Sequence, residues 1–284
     1  MRFRLALPLV AAVAIAQPIF TSRVRLVEVS ASVKDSHSRP VDDLPQERFV
    51  VLDNGVPQPI ASFESVSADL TCALLLDTTA SMKDALGTMR NGVTGLLDEM
   101  RPADTVAVFT FSTQVDKPQD FTQDKEAARR AVMRTRASGA TALFDAIAQV
   151  VDETSQRSGK KAIVLFTDGA DNSSRLIAES AWKRALTAGI RIYAVAEGDA
   201  VRENKLLEQL QTIADKTGGR CYKASSPKEV GKVFADIQTE LKHLYLLAYK
   251  PPADADEKKW RTIQIQITGA KDYTVRGKQG YFPN

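Results

Sequence analysis

The middle of the chain alternates between two hydrophobic patterns. The continuous apolar run LTCALLLD at residues 70–77 is typical of a strand buried on both faces of a parallel sheet. Residues 105–111, 161–168, 190–197 and 220–224 are further strand candidates. Between or after them, apolar residues recur at helical spacing, near residues 82–100, 124–136, 142–157, 175–188, 204–217 and 227–242. This alternation predicts an α/β domain over residues 70–243, with a doubly wound, mostly parallel sheet and helices on both faces.

Both ends of the chain have the pattern of short, half-buried strands. Residues 23–33 alternate apolar and polar positions, and Asn54-Gly55 separates two apolar stretches, which is a strong hairpin signal. Three more strand-like runs follow residue 243, at residues 244–250, 261–268 and 273–282. Because a few strands alone form a marginal sheet, we expect the β segments 17–69 and 244–284 to pair into a small β-sandwich around the inserted α/β domain. The alternative is two β flanks that pack separately on that domain.

Residues 1–16, MRFRLALPLVAAVAIA, have the pattern of a targeting segment. Arg2 and Arg4 precede an apolar run, and Ala14-Ile15-Ala16 has the small-x-small pattern of a cleavage site. The run is shorter than the about 20 residues that span a bilayer. We therefore predict a signal peptide, export to the periplasm or the extracellular space, and no membrane span after cleavage. A retained anchor or a buried strand is the alternative.

The charge of the chain argues against one class of function, nucleic-acid binding. The 284 residues include 38 Lys and Arg against 35 Asp and Glu, a formal net charge of +3, and no long basic run. Nucleic-acid binding is therefore not expected, because it needs a concentrated basic surface.

Oxygen-bearing side chains follow three of the predicted elements. Asp77, Thr79 and Ser81 come directly after the first buried strand, Thr141 stands at the entrance to the helix at 142, and Asp168 ends the strand at 161–168. Ligands of doubly wound sheets bind at the carboxyl ends of the strands, so these groups are expected to meet there. A set made only of oxygen donors suits Mg²⁺ or Mn²⁺.

Each of these pieces also has a simpler interpretation when it stands alone. Asp and Thr after a strand commonly cap the next helix, and Thr167-Asp168-Gly169 is an ordinary turn sequence. We interpret Asp171 and Asn172 as part of a solvated loop, with support of the metal ligands as the alternative. We interpret Asp145 as a first-turn partner of its helix dipole. Only the combination of the three pieces, in this order, indicates a metal site.

The combination resembles the metal-ion-dependent adhesion site of the von Willebrand factor type A domain, over about residues 68–243. The motif of that family is Asp-x-Ser-x-Ser, and Thr79 keeps a hydroxyl at its middle position. The resemblance implies that Thr79 and Ser81 bind the metal directly and Asp77 largely through water. Thr141 and Asp168 would exchange direct and water-mediated roles, and an acidic group of a partner would take the sixth position.

The flanks extend the resemblance. RPVDDLPQERFVVLDNGVPQPIASF before the domain and GKQGYF at the end are similar to the exported bacterial von Willebrand factor A-related family of acidobacterial type. The strand order of the wider family would place Cys72 on a central strand and Cys221 on an edge strand. Three strand spacings, about 14 Å, exceed the about 7 Å between Cα atoms that a disulfide allows. We therefore expect two free thiols.

Two classes of function follow. The first is a secreted binding module that holds Mg²⁺ or Mn²⁺ and recognises an Asp or Glu carboxylate on a partner protein; it is not an enzyme. The second is a metal-dependent hydrolase, since a metal and carboxylates can activate water. The sequence has no nucleophile or phosphate-loop motif, which favours the first. A domain of this fold with a non-functional metal site is a third possibility.

Overall fold

The computed structural model describes residues 26–65, 68–224, 226–256, 258–269 and 272–283. The predicted signal peptide, residues 1–16, lies outside the described residues. Within these ranges no helix combines the length and the apolar character that crossing a membrane requires.

The strands, numbered along the chain, are β1 (Val27–Lys34), β2 (Phe49–Asp53), β3 (Val56–Gln58), β4 (Ile60–Glu64), β5 (Leu70–Asp77), β6 (Thr105–Phe111), β7 (Val115–Thr122), β8 (Lys160–Thr167), β9 (Arg191–Ala196), β10 (Cys221–Lys223), β11 (Leu244–Tyr249), β12 (Arg261–Ile267), β13 (Thr274–Gly277) and β14 (Gly280–Tyr281). The helices are α1 (Leu86–Asp98), α2 (Lys125–Met133), α3 (Leu143–Ser155), α4 (Ala178–Thr187), α5 (Asp199–Arg202), α6 (Asn204–Thr217) and α7 (Pro227–Lys242).

The central sheet has six strands in the order β10-β9-β8-β5-β6-β7. All neighbours pair in parallel except β6 and β7. Apolar side chains of α1, α2 and α7 form the core on one face of the sheet, and those of α3, α4 and α6 form the core on the other. The predicted α/β class with a doubly wound, mostly parallel sheet is confirmed.

Two short elements are absent from the sequence-based prediction. The edge strand β7 has the sequence VDKPQDFT, with no buried residue, so it has neither a buried run nor a regular alternation. Pro118 lies within it, a residue that strands tolerate at a sheet edge. Helix α5 has four residues, too few for a helical period to show.

The β segments at the two ends of the chain pair with each other. Strand β1 lies between β11 and β13, and β2 lies between β12 and β3. The two four-stranded sheets, β13-β1-β11-β4 and β14-β12-β2-β3, share one buried core that includes Val29, Val51 and Tyr245. The predicted sandwich is therefore confirmed, and separately packed flanks are wrong. The hairpin at Asn54-Gly55 is also confirmed, with φ of 48° and 80° as a type I′ turn requires.

The cysteines lie where the expected strand order places them. Cys72 is on β5, and Cys221 is on the edge strand β10, with β8 and β9 between them. Both thiols are free. The prediction of two unpaired cysteines agrees with this arrangement.

A buried ionic group joins the sandwich to the α/β domain. Arg191 on β9 and Glu240 on α7 are almost fully buried, with Arg191 Nη1 3.5 Å from Glu240 Oε1. Arg191 Nε also donates to Ser30 Oγ of β1 at 2.6 Å, and Arg191 Nη2 donates to the carbonyl of Arg276 on β13 at 2.9 Å. One guanidinium thus holds strands of both domains.

Candidate functional site

The carboxylate of Asp77, the last residue of β5, organises the first loop of the site. One of its oxygens, Oδ1, accepts hydrogen bonds from the backbone N–H of Thr79 at 2.9 Å and from the Thr79 hydroxyl at 2.7 Å. The other, Oδ2, accepts from the hydroxyl of Thr167, the last residue of β8, at 2.7 Å. Burial raises the pKa of Asp77 to about 6 against these hydrogen bonds, and the charge of Asp168 contributes. The group is a buried carboxylate that ties two neighbouring strand ends together.

The two hydroxyls of the loop stand side by side. Thr79 Oγ1 lies 3.1 Å from Ser81 Oγ. Because the Thr79 hydroxyl gives its proton to Asp77, its oxygen keeps lone pairs for another partner. Two neighbouring ligands of an octahedral Mg²⁺ at 2.0–2.1 Å are about 2.9 Å apart, close to the observed separation. The donor types and this spacing fit a hard divalent cation.

The loop that carries Thr141 lies directly against the first loop. The backbone N–H of Ser138 donates to the carbonyl of Thr78 at 2.7 Å, and that of Ala80 donates to the carbonyl of Gly139 at 3.4 Å. Gly139 has a φ of +85°, and a Cβ on it would lie 3.1 Å from the Ser112 side chain. Only glycine suits this turn, so the residue permits the close approach of the two loops.

Asn172 holds Thr141 in place, which is the supporting role left as the alternative to a merely solvated loop. The backbone N–H of Thr141 donates to Asn172 Oδ1 at 3.0 Å, and the backbone N–H of Asn172 donates to the Thr141 carbonyl at 3.0 Å. The far end of the same loop is held by Asp145, whose carboxylate accepts the backbone N–H groups of Arg175 and Leu176, each at 2.9 Å. Asp145 lies in the first turn of α3 as expected, and it also holds this loop. The one signal in the sequence is the position of Asn172 shortly after the Asp168-Gly169 turn.

Acidic groups dominate the side of the site towards β8 and β9. Asp168 follows β8 and is buried, and its Oδ1 accepts the backbone N–H of Ala170 at 3.3 Å. Glu197 follows β9, and burial together with the Asp168 charge raises the pKa of Glu197. Sequence reasoning did not single out Glu197, although it also follows a parallel strand. The negative electrostatic potential on this side favours a cation at the site.

The five predicted residues thus lie on three loops. Each loop is hydrogen-bonded to the other two. Thr79 contacts both Asp77 and Ser81. Asp168 is close enough for its charge to raise the pKa of Asp77. Thr141 is linked through Asn172 to the loop that carries Asp168. Across the described ranges, no three His, Cys, Asp or Glu side chains cluster as a metal site. The candidate set has two carboxylates and three hydroxyls instead, and metal binding by it stays a prediction.

The protein thus contains a doubly wound α/β domain that carries two carboxylates and three hydroxyls on adjoining loops at the carboxyl edge of its sheet. A family model of the von Willebrand factor type A domain matches residues 72–236, more than half of the chain. The chain belongs to this family. Among curated proteins, none matches it.

Solved structures share the fold at low sequence identity. A von Willebrand factor type A protein from Catenulispora acidiphila is 15% identical, with a TM-score of 0.54 over 92% of this chain and 75% of that chain. The vWF domain of the type V pili tip protein Mfa5 from Porphyromonas gingivalis is 12% identical, with a TM-score of 0.50 over 60% and 94%. An aerotolerance-related membrane protein from Bacteroides fragilis is 20% identical, with a TM-score of 0.51 over 61% and 98%. These likenesses show the fold.

Proposed function

We propose that the protein is an exported binding module that holds Mg²⁺ or Mn²⁺ and uses it to bind an Asp or Glu carboxylate of a partner protein. Asp77, Thr79, Ser81, Thr141 and Asp168 would hold the cation. The bound cation would supply a positive charge that attracts the carboxylate of the partner. Export rests on the pattern of residues 1–16, and a pili tip protein with the same fold supports a role outside the cytoplasm.

The observation that carries the proposal is the contact between Asp77, Thr79 and Ser81. The buried Asp77 carboxylate takes the Thr79 proton at 2.7 Å, and the Thr79 and Ser81 oxygens stand 3.1 Å apart. At this separation one cation could contact both hydroxyl oxygens. A carboxylate of a partner would be attracted to the bound cation more strongly than a neutral group would.

We propose binding and not catalysis as the activity. The two histidines of the chain have partners elsewhere: His243 Nδ1 lies 2.6 Å from the carboxylate of Asp42, and His37 lies in the turn after β1 beside Ser36. Neither supplies a general base to the site. Incubation with generic phosphate and ester substrates, with and without Mg²⁺, tests this point, and metal-dependent turnover that Asp77→Ala abolishes would support the hydrolase instead.

Calorimetric titration with Mg²⁺, Mn²⁺ and Zn²⁺ tests the metal site. We expect binding of Mg²⁺ and Mn²⁺ with little selectivity for Zn²⁺, because every donor is an oxygen. Asp77→Ala and Asp168→Ala should each abolish binding. Asp199→Ala is the matched control, since it removes an exposed carboxylate near the same sheet edge. Unchanged Mg²⁺ affinity in both ligand variants would refute the site.

The partner is sought in the native host. Crosslinking followed by recovery of the protein, with and without a chelator, should give partners only when the metal is present. Asp168→Ala protein should recover none of them. Partners recovered equally with chelator would refute metal-dependent recognition, and fractionation of the same cells shows whether the protein is periplasmic or extracellular.

A further inference from the structure

A polar cleft adjoins the candidate metal site on the side of β6 and β7. Its volume is about 470 Å³. Thr78 and Ser138 line it, and these residues belong to the loops that carry Thr79 and Thr141. The cleft therefore borders two of the loops that form the site.

Two arginines of the cleft have no ionic partner. Arg134 and Arg136 line the cleft and are exposed, and neither guanidinium forms an ion pair or a hydrogen bond with any residue in the described part of the chain. Lys117, which also lines the cleft, is paired with Glu153 at 2.7 Å and with Asp120 at 3.2 Å. The two arginines thus present free planar donors, a geometry suited to carboxylates.

The backbone holds the two arginines on the same short loop. Thr135 between them is buried, and its hydroxyl donates to the carbonyl of Val132 at 2.8 Å at the end of α2. Arg90 lies behind the loop, where Arg90 Nε donates to Thr135 Oγ1 at 3.3 Å. One carboxylate, Asp116, also lines the cleft. Two unpaired guanidiniums against this single acid leave the cleft positive.

The charge around the site is therefore unequal on its two sides. Asp168 and Glu197 follow β8 and β9 on one side of Asp77, whereas Arg134 and Arg136 lie on the β6–β7 side. An acidic segment with one carboxylate at the metal is repelled by the first side and attracted by the second. The direction in which such a segment leaves the metal is thus set by electrostatics.

We infer that the cleft lined by Arg134 and Arg136 binds a second carboxylate of the partner, so that the partner is an acidic protein segment with two carboxylates a few residues apart. The inference rests on the proposed function for the first carboxylate. The second contact adds affinity and fixes the direction of the bound segment.

Synthetic peptides test this inference. The probes are a Gly-Ser peptide with a single aspartate and the same peptide with a second aspartate at several spacings, bound to the full exported chain in Mg²⁺. At one spacing or more, the second aspartate should raise the affinity by about fivefold, as exposed ion pairs allow. Arg134→Gln with Arg136→Gln should remove this gain and leave the Mg²⁺ affinity unchanged.

The matched control removes two other exposed arginines at the same edge, Arg175 and Arg202, as Arg175→Gln with Arg202→Gln. It should retain the gain from the second aspartate. If the second aspartate adds nothing at any spacing, or if the control loses the gain equally, the inference about the cleft is wrong, while Mg²⁺-dependent binding of the single-aspartate peptide still supports the metal-based function. If binding of the second aspartate depends on Arg134 and Arg136 but persists in chelator, the cleft is supported and the metal-based function is not.

Discussion

Lys278 is a buried lysine between the two domains, and its substitution measures the energetic cost of burying that charge. The side chain is 7% exposed, and its ammonium has one long hydrogen bond, 3.5 Å to the carbonyl of Leu186. Burial lowers the pKa of Lys278 from 10.5 to about 8, although Glu28 attracts the charge; Lys161 lowers it further. The folded protein therefore binds this proton less tightly than the unfolded chain does.

The sign and the size of the effect follow from linkage. Between about pH 8 and pH 10.5 the unfolded chain carries the proton and the folded protein does not, so this group makes stability rise with pH. Below about pH 8 the whole cost is present. At 1.36 kcal/mol for each pKa unit, the shift corresponds to about 3 kcal/mol.

Lys278→Met should therefore stabilise the protein by about 3 kcal/mol at pH 7, and by less than about 1 kcal/mol at pH 10. Urea denaturation followed by circular dichroism at both pH values measures the difference between the variant and the parent. Lys232→Met, at an exposed position of α7, is the control and should change stability by less than about 0.5 kcal/mol. A gain that is the same at both pH values would show that the ammonium is not desolvated in the fold, and would refute the reasoning.

Three further predictions concern the site and its support. Asn172→Ala should weaken Mg²⁺ binding in calorimetry, because the backbone N–H of Thr141 loses its acceptor. Asn172→Asp keeps an acceptor oxygen and should bind Mg²⁺ more tightly than the alanine variant. Equal affinities of the two variants would contradict this role of Asn172. Glu240→Gln should lower the free energy of unfolding, measured by urea denaturation, by about 3 kcal/mol, because it leaves Arg191 buried without its counter-charge. A loss below about 1 kcal/mol would show that the backbone carbonyls alone satisfy the guanidinium. Gly169→Ala should lower the thermal midpoint, because the residue has a φ of +80° and its Cβ would lie 2.9 Å from a side chain of α5; an unchanged midpoint would show that the loop shifts freely.

Prediction of the elements from the sequence succeeded where local signals were strong. The run at 70–77 became β5 with every residue buried, and Asn54-Gly55 forms the turn between β2 and β3. It failed for β7, where most residues are polar and the strand forms by pairing with β6. Such pairing depends on a partner strand, and no property of the eight residues themselves records it.

Most strands and helices, the hairpin and the three groups of oxygen donors could be obtained from the sequence, because periodicity and turn chemistry are local properties of the chain. The tertiary structure alone decided which groups touch. Thr167 reaches Asp77 from 90 residues away, and Asn172 reaches Thr141 from 31. The free arginines of the cleft and the acidic group formed by Asp168 and Glu197 likewise follow from strand order. These contacts depend on which strand ends become neighbours in the sheet, and that is fixed by packing of the whole domain.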